Sequence, residues 1–438
     1  MTTQPLTTFA VAVKYLDDLQ MHKIKLGLDA MRAVLTSLDS PEKSCPAVHV
    51  AGTNGKGSTC SILQNIMSRA DYRVGLYTSP HLDSVRERFR INDHYISEEA
   101  FTRHMERICR ALDGKTITYF ECATALAFSW FAEQQCDLVI IETGMGGRLD
   151  ATNVLTPLLT IITSISLDHE QYLGDTIEAV AFEKAGIIKE EIPLISGVTD
   201  QNAQEVIRQA CIERGAPLRE TKKHFSIEKK QHGWFWQLAD GTAQLGNIEI
   251  GRPGQWQHEN TSCAITAAMM LRDKGYEISA DAIRDGVKHT KWPGRMEYLE
   301  KTHQGTSPIR FLLDGAHNSE GIDHLLASLD NDFDYQTLYV IWASMADKNF
   351  TSMMQRVAQQ ADQIILTAPE SERSARPNDL FTALSSELKA KANIHSTVEA
   401  ALNHVYRNAT NQDLVVVAGS LYLIGELRKQ LVGEVVNG

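Results

Sequence analysis

Short β-branched runs, each followed by a polar or glycine-containing loop and mostly by a stretch with helical apolar spacing, most constrain what this chain can become. The runs are Ala47 to Val50, Val74 to Tyr77, Leu138 to Ile141, Leu158 to Ile165, Ile192 to Ile195, Phe311 to Leu313, Leu338 to Trp342, Gln363 to Leu366 and Leu414 to Val417. They are apolar throughout and do not alternate. Strands of that kind are covered on both faces, so the expected fold class is α/β, with a mainly parallel sheet flanked by helices. Ligands in such folds gather at the carboxyl ends of the strands.

Two helices are legible from their caps. Ser97 opens a helix whose stripe is Phe101, Met105, Ile108 and Leu112, a spacing that serves packing. Asp175 with Glu178 resembles a capping box, and Gly186 stops that helix with Lys184 in its last turn. From about Pro217 to Gly251 the pattern changes to alternation, which predicts a small antiparallel insert. Trp292-Pro293-Gly294-Arg295 breaks a helical pattern before a fresh strand-helix series, placing a domain boundary near residue 296, between domains 1–295 and 296–438.

The 438 residues carry a formal net charge of −12, which argues against a surface built for nucleic-acid phosphates or anionic lipid. Seven cysteines without a Cys-x-x-Cys spacing point to neither a disulfide framework nor a zinc knuckle. A reducing, cytoplasmic setting is expected, with no membrane span.

Val48 to Thr59 lies between a strand and a helix containing Ile62, Leu63, Ile66 and Met67. Its glycines let Asn54, Gly55, Gly57 and their neighbours turn backbone N–H groups around an anion, the helix N-terminus adds partial positive charge, and Lys56 offers a point charge to the outer phosphates. The segment reads as a P-loop for a nucleotide triphosphate. It departs from the usual spacing, since Val50 holds the first glycine position and Gly57 follows Lys56, so the hydroxyl on magnesium falls to Ser58. Glu142 ends an apolar strand and suits the same ion, although a capping or ion-paired carboxylate would look alike. His169, on a strand-end loop, reads either as a ligand or as structural. Lys184 in a last helical turn also satisfies the helix dipole without further role.

With Gly52 to Thr59, Thr78-Ser79-Pro80-His81-Leu82, Glu142 to Asn153, Leu167 to Lys189, Pro293-Gly294-Arg295, Asp314 to Asn318 and Gly419-Ser420 in view, the chain resembles the folylpolyglutamate synthase and dihydrofolate synthase family of Mur-type ligases. The resemblance spans residues 52 to 420. It implies an ATP-binding P-loop domain of Mur ligase central type followed by a smaller Rossmann-like α/β domain. It implies ATP-dependent joining of L-glutamate to dihydropteroate or to reduced folates through an acyl phosphate, by a cytoplasmic monomer with no nucleic-acid or membrane partner. By the same resemblance Ser58, Glu142, His169 and Lys184 hold Mg2+, Lys184 as a carbamylated lysine. ATP falls to Asn54, Gly55, Lys56, Gly57, Ser58, Thr59, Asn260, Arg295 and Asp314, with catalysis assigned to Lys56, Lys184 and His169. His317 and Ser420 receive glutamate, and Leu26-Gly27-Leu28, Phe120, Asp150 and Ala151 receive the pteridine acid.

Trp256 stands where the family often has His. Arg86, Arg88 and Arg90 read either as a solvated face or as an attraction for a polyglutamate tail. A folylpolyglutamate synthase of single activity, a P-loop kinase and a nucleotide-gated binding protein are the alternatives. ADP release with only one acceptor marks the single activity, phosphorylation without glutamate the kinase, and binding without turnover the binding protein.

Overall fold

The computed structural model describes residues 6–19, 27–251, 253–254, 256–303, 307–346, 350–371, 373–433 and 436. They pack into two compact units. The first holds residues up to His81, Val85–Gly251 and His258–Thr290; the second holds Leu82–Ser84, residues near 252–257 and the chain from Lys291.

In the first unit, eight strands form one sheet: β1 (Ala47–Ala51), β2 (Val74–Tyr77), β3 (Phe89–Ile91), β4 (His94–Tyr95), β5 (Leu138–Glu142), β6 (Leu159–Ile162), β7 (Leu194–Ser196) and β8 (Leu218–Glu220). Their order is β4-β3-β2-β5-β1-β6-β7-β8. Pairings from β2 across to β8 are parallel, and β3 and β4 fold back antiparallel at one edge. β1, β2, β5 and β6 are buried along their whole length, as unbroken apolar runs require. The helices are α1 (Phe9–Asp18), α2 (Asp29–Ser37), α3 (Lys56–Arg69), α4 (Glu98–Leu112), α5 (Tyr119–Glu133), α6 (Glu170–Leu173), α7 (Ile177–Ala185), α8 (Gln201–Glu213), α9 (Gln257–Asp273) and α10 (Ala280–Lys288).

Helix α4 bears out its stripe: Ser97 Oγ accepts from Ala100 N at 3.1 Å, and Phe101, Met105, Ile108 and Leu112 are all buried. Burial of such side chains contributes roughly 1.5–3 kcal/mol each. Helix α7 corrects its expected start. Its cap is Thr176, whose hydroxyl accepts from Ala179 N at 3.2 Å, so Asp175 lies one residue outside the capping position. The antiparallel insert is also narrower than the alternation suggests. It comprises β9 (Phe225–Lys230), β10 (Gly233–Leu238) and β11 (Gln244–Ile248), because Leu218–Glu220 pairs in parallel with β7.

The second unit carries a six-stranded sheet in the order β12-β13-β17-β14-β15-β16: β12 (Glu297–Lys301), β13 (Ile309–Leu313), β14 (Leu338–Trp342), β15 (Gln363–Leu366), β16 (Ala392–Ile394) and β17 (Leu414–Ala418). All pairings are parallel except the β12 edge. Helices α11 (Ser319–Asp332), α12 (Thr351–Gln360), α13 (Pro377–Ala383), α14 (Ser386–Lys389), α15 (Val398–Asn408) and α16 (Leu421–Val432) complete it. Apolar clusters cover both faces of this sheet. All seven cysteines are free. Among the described residues, no helix is long and apolar enough to cross a membrane.

Candidate active site

The loop from Gly52 to Lys56 closes over the tip of β1 and is braced by the chain leaving β6. Thr53 N donates to Ser164 O at 2.8 Å, Thr53 Oγ1 exchanges bonds of 3.0 Å with Ser166 O and N, and Thr163 Oγ1 donates to Asn54 O at 2.6 Å. The sequence reading missed this brace; the polar residues of Thr163-Ser164-Ile165-Ser166 at a strand end were its signal. Two glycines leave no space for a side chain. A Cβ on Gly52 would fall 1.9 Å from Thr163 Oγ1, and one on Gly55, at φ +83°, 2.1 Å from Asn260 Oδ1. The loop backbone is thus held in a tight turn with Asn260 beside it.

Two ammonium groups converge on this turn. Lys56 Nζ donates to Gly52 O at 2.9 Å and to Thr53 O at 3.0 Å, while Lys184 Nζ, buried in the last turn of α7, donates to the same Gly52 O at 2.9 Å. Ser58 and Thr59 are buried in the first turn of α3, and Thr59 Oγ1 has no hydrogen-bond partner. A glycine cradle, two cations and a buried orphan hydroxyl at a helix N-terminus fit a polyphosphate with its metal ion.

Glu142, at the end of β5, is buried, and its Oε2 accepts from Ser79 N at 2.9 Å. His169 is exposed at φ +52°, capping the short α6. Among the described residues, no three His, Cys, Asp or Glu side chains stand together as a ligand set.

Asp150 is fully engaged. Its Oδ2 accepts from Gly144 N and Met145 N at 2.8 and 2.9 Å, and its Oδ1 from Thr152 N and Thr152 Oγ1 at 3.0 and 2.5 Å. Burial raises its pKa, and the same four donors oppose that rise. The carboxylate thus shapes the loop after Glu142. Thr152 Oγ1, having given its proton to Asp150, accepts from Nε2 of buried His49 on β1 at 2.8 Å. His49 is a residue the sequence reading passed over. The Phe120 ring lies against Gly144, where a Cβ would come within 2.6 Å of it, and Ala151 is buried nearby in the same apolar cluster. Leu28 precedes α2; Leu26 lies outside the described residues. Of the three arginines, Arg88 and Arg90 are buried, which overturns the solvated-face reading for both.

In the second unit the tips of β13 and β17 carry the remaining residues. Asp314 accepts from Met296 N and Ala316 N at 2.8 and 2.9 Å; burial raises its pKa, with Arg295 and these N–H groups opposing. Arg295 donates to Gly315 O at 3.2 Å, and His317 Nδ1 donates to the same oxygen at 2.7 Å. Ser420 opens α16 with its hydroxyl 3.6 Å from Met345 Sδ.

Two family models match: the Mur ligase middle domain over residues 50–268 and the Mur ligase glutamate ligase domain over residues 294–421. A dihydrofolate synthase/folylpolyglutamate synthase of Bacillus subtilis is 36% identical, over 93% of this chain and 95% of that protein. This chain belongs to the dihydrofolate synthase/folylpolyglutamate synthase family of Mur ligases. It is thereby an ATP-dependent, amide-forming ligase.

Solved structures of the family share its whole architecture. Escherichia coli FolC in complex with DHPP and ADP matches at a TM-score of 0.88 with 31% identity, covering 98% of this chain and 99% of that one. A bifunctional folylpolyglutamate synthase/dihydrofolate synthase with Mn, AMPPNP and L-glutamate bound matches at 0.86 with 30% identity and the same coverage.

Proposed function

We propose that this family member joins L-glutamate both to dihydropteroate and to reduced folates. The observation that carries the reading is the pair of ammonium groups on Gly52 O, at a turn with no space for side chains and beside Glu142's strand in the sheet. Lys56 supplies positive charge where a phosphoryl group would pass, and Lys184 brings an amine to the same point.

A carboxylate is a poor electrophile. Its oxygen attacks the γ-phosphorus of ATP, the bond to the β-bridging oxygen breaks, ADP leaves, and an acyl phosphate forms. The glutamate amine then attacks the acyl carbon, the C–O bond to phosphate breaks, and inorganic phosphate leaves as the nitrogen gives up a proton. Lys56 is placed to turn from the loop carbonyls to the β- and γ-phosphate oxygens. Asn260 lies against the loop and would fix its conformation around the nucleotide. In the second unit, Arg295 and Asp314 are assigned to ATP, and His317 and Ser420 to the incoming glutamate.

Ser58, Glu142, His169 and carbamylated Lys184 would hold magnesium, which when bound neutralises phosphate charge. Carbamylation converts the Lys184 amine and carbon dioxide to a carbamate and a proton. An ammonium that crowds Lys56 thereby becomes an anion able to ligate a cation. Phe120, Ala151 and Leu28 offer an apolar wall to the pteridine acid, on a loop that Asp150 shapes. The seven free thiols suit a cytoplasmic protein, and we take it to act as a monomer.

The test supplies purified protein with ATP, Mg2+, L-glutamate and either dihydropteroate or tetrahydrofolate, and follows ADP. Release that needs both the acid and glutamate is expected with each. Release without glutamate would replace the ligase reading with a kinase; release with tetrahydrofolate alone would leave the single folylpolyglutamate activity.

A further inference from the structure

The three arginines flanking the start of β3 have separate fates. Arg86 donates from Nε to Ile96 O at 2.6 Å and stands 3.8 Å from Glu98. Arg90 is buried against the amide oxygen of Gln64 and lies 3.5 Å from Ser61 Oγ. Both are thus engaged by their own surroundings. Arg88 is not.

Arg88 is 8% exposed. Its Nε donates to Nδ1 of His81 at 2.9 Å, and its guanidinium carbon sits 5.2 Å from the centre of the Tyr119 ring. Among the described residues its two terminal nitrogens have no hydrogen-bond or ion-pair partner, and neither is sealed from solvent. Asp17 at the end of α1 feels the charge but forms no ion pair with it. Because Nδ1 of His81 accepts, that ring carries its proton on Nε2. Burial and the neighbouring Arg88 hold its pKa down to about 3, so the ring is neutral and Nε2–H is a further donor. Among the described residues the wall is therefore built of donors and one cation, and Asp17 makes no ion pair with it.

Burying a guanidinium without a counter-ion costs several kcal/mol, and its planar fork matches a carboxylate through two parallel bonds. The surroundings tie this wall to the acid-substrate side of the site. Tyr119 adjoins Phe120 at the start of α5, and the Tyr77 ring lies 6.0 Å from that of Phe120. His81 is two residues from Ser79, whose N–H is bonded to Glu142.

Building on the ligase reading, we infer that Arg88 and His81 form a receptor for the α-carboxylate of the terminal glutamate of a folate acceptor. Dihydropteroate has a single carboxylate, and that one reacts. A folate presents its γ-carboxylate for reaction and keeps a second, a few bonds away, that needs a counter-charge. Arg88 thus discriminates between the two acceptor classes and is a specificity residue for chain elongation.

The test measures kcat/KM of wild type, Arg88→Met and Arg88→Lys with tetrahydrofolate and with dihydropteroate. For an acid that binds without turnover, its inhibition constant replaces KM. Loss of a charge-assisted pair predicts that Arg88→Met shifts the ratio against tetrahydrofolate by about ten- to a hundredfold. Arg88→Lys, which keeps the charge and loses the fork, should recover part of that shift. Equal losses with both acids would make Arg88 a structural residue and overturn the proposal, as would an unchanged ratio. Wild type that neither turns over nor binds either acid would instead sink the ligase reading on which this one rests.

Discussion

Lys56 and Lys184, 128 positions apart in the chain, donate to one acceptor, the carbonyl oxygen of Gly52, each at 2.9 Å. Two ammonium groups on one oxygen repel, and Lys184 is buried as well, so the arrangement is poor for stability and useful for anion chemistry. Lys184→Met should lower kcat by about a hundredfold or more, the scale of losing one electrostatic group aimed at a transition state. The midpoint of thermal unfolding of the nucleotide-free protein should move little. A large fall in that midpoint would instead make the lysine a structural tie.

If Lys184 acts as its carbamate, its activity depends on dissolved carbon dioxide. Protein dialysed into carbon-dioxide-free buffer should lose turnover and regain it on addition of bicarbonate. Lys184→Met should give no response, and a wild type indifferent to bicarbonate would remove the carbamate from the mechanism.

Two glycines report on different substrates. Gly55→Ala forces a Cβ into Asn260 at a positive φ, which distorts the phosphate loop. Gly144→Ala forces one into the Phe120 ring. Overpacking of this kind costs about 1–3 kcal/mol. Gly55→Ala should therefore raise KM for ATP by about tenfold with a smaller effect on the acid, and Gly144→Ala should do the reverse. Steady-state kinetics with each substrate varied separately decides it.

What the sequence made legible is what local pattern determines. β1, β2, β5, β14, β15 and β17 fall where unbroken apolar runs put them, and Ser97 caps α4 as its side chain requires. The loop at Gly52 to Ser58 was readable because glycine and lysine have few other reasons to occur in that order. The rest depended on contacts between distant segments. β4, β12 and β16 are edge strands, and β3 beside β4 is only three residues long, so none has the unbroken buried run of a central strand. That Asp150 spends all its accepting capacity on Gly144, Met145 and Thr152, and that Arg88 is buried with a hydrogen bond at Nε alone, are tertiary facts. A string of charged letters cannot distinguish a solvated arginine from one facing inward.

His49 supplies a prediction about pH. It is completely buried on β1, donates to Thr152, and burial, with the charge of Lys189 adding to it, lowers its pKa from 6.5 to about 3. In the unfolded chain the ring takes up a proton near pH 6.5, whereas the folded protein resists until about pH 3. Between those values the unfolded state binds more protons, so stability falls as pH falls, by roughly 1.4 kcal/mol per pH unit for this one group. From pH 7 to pH 5 its share of the loss is about 2 kcal/mol. Asp150, whose pKa is raised, acts in the opposite sense at lower pH, and His81 and His324 add losses of the same sign as His49. His49→Gln keeps a donor for Thr152 and removes the titration, which isolates the term. Urea unfolding at pH 7 and pH 5 should show the variant losing about 2 kcal/mol less than wild type over that interval. Equal losses in the two proteins would mean that His49 reaches water in the folded state, and the relay from β1 to the loop after Glu142 would then lack its buried anchor.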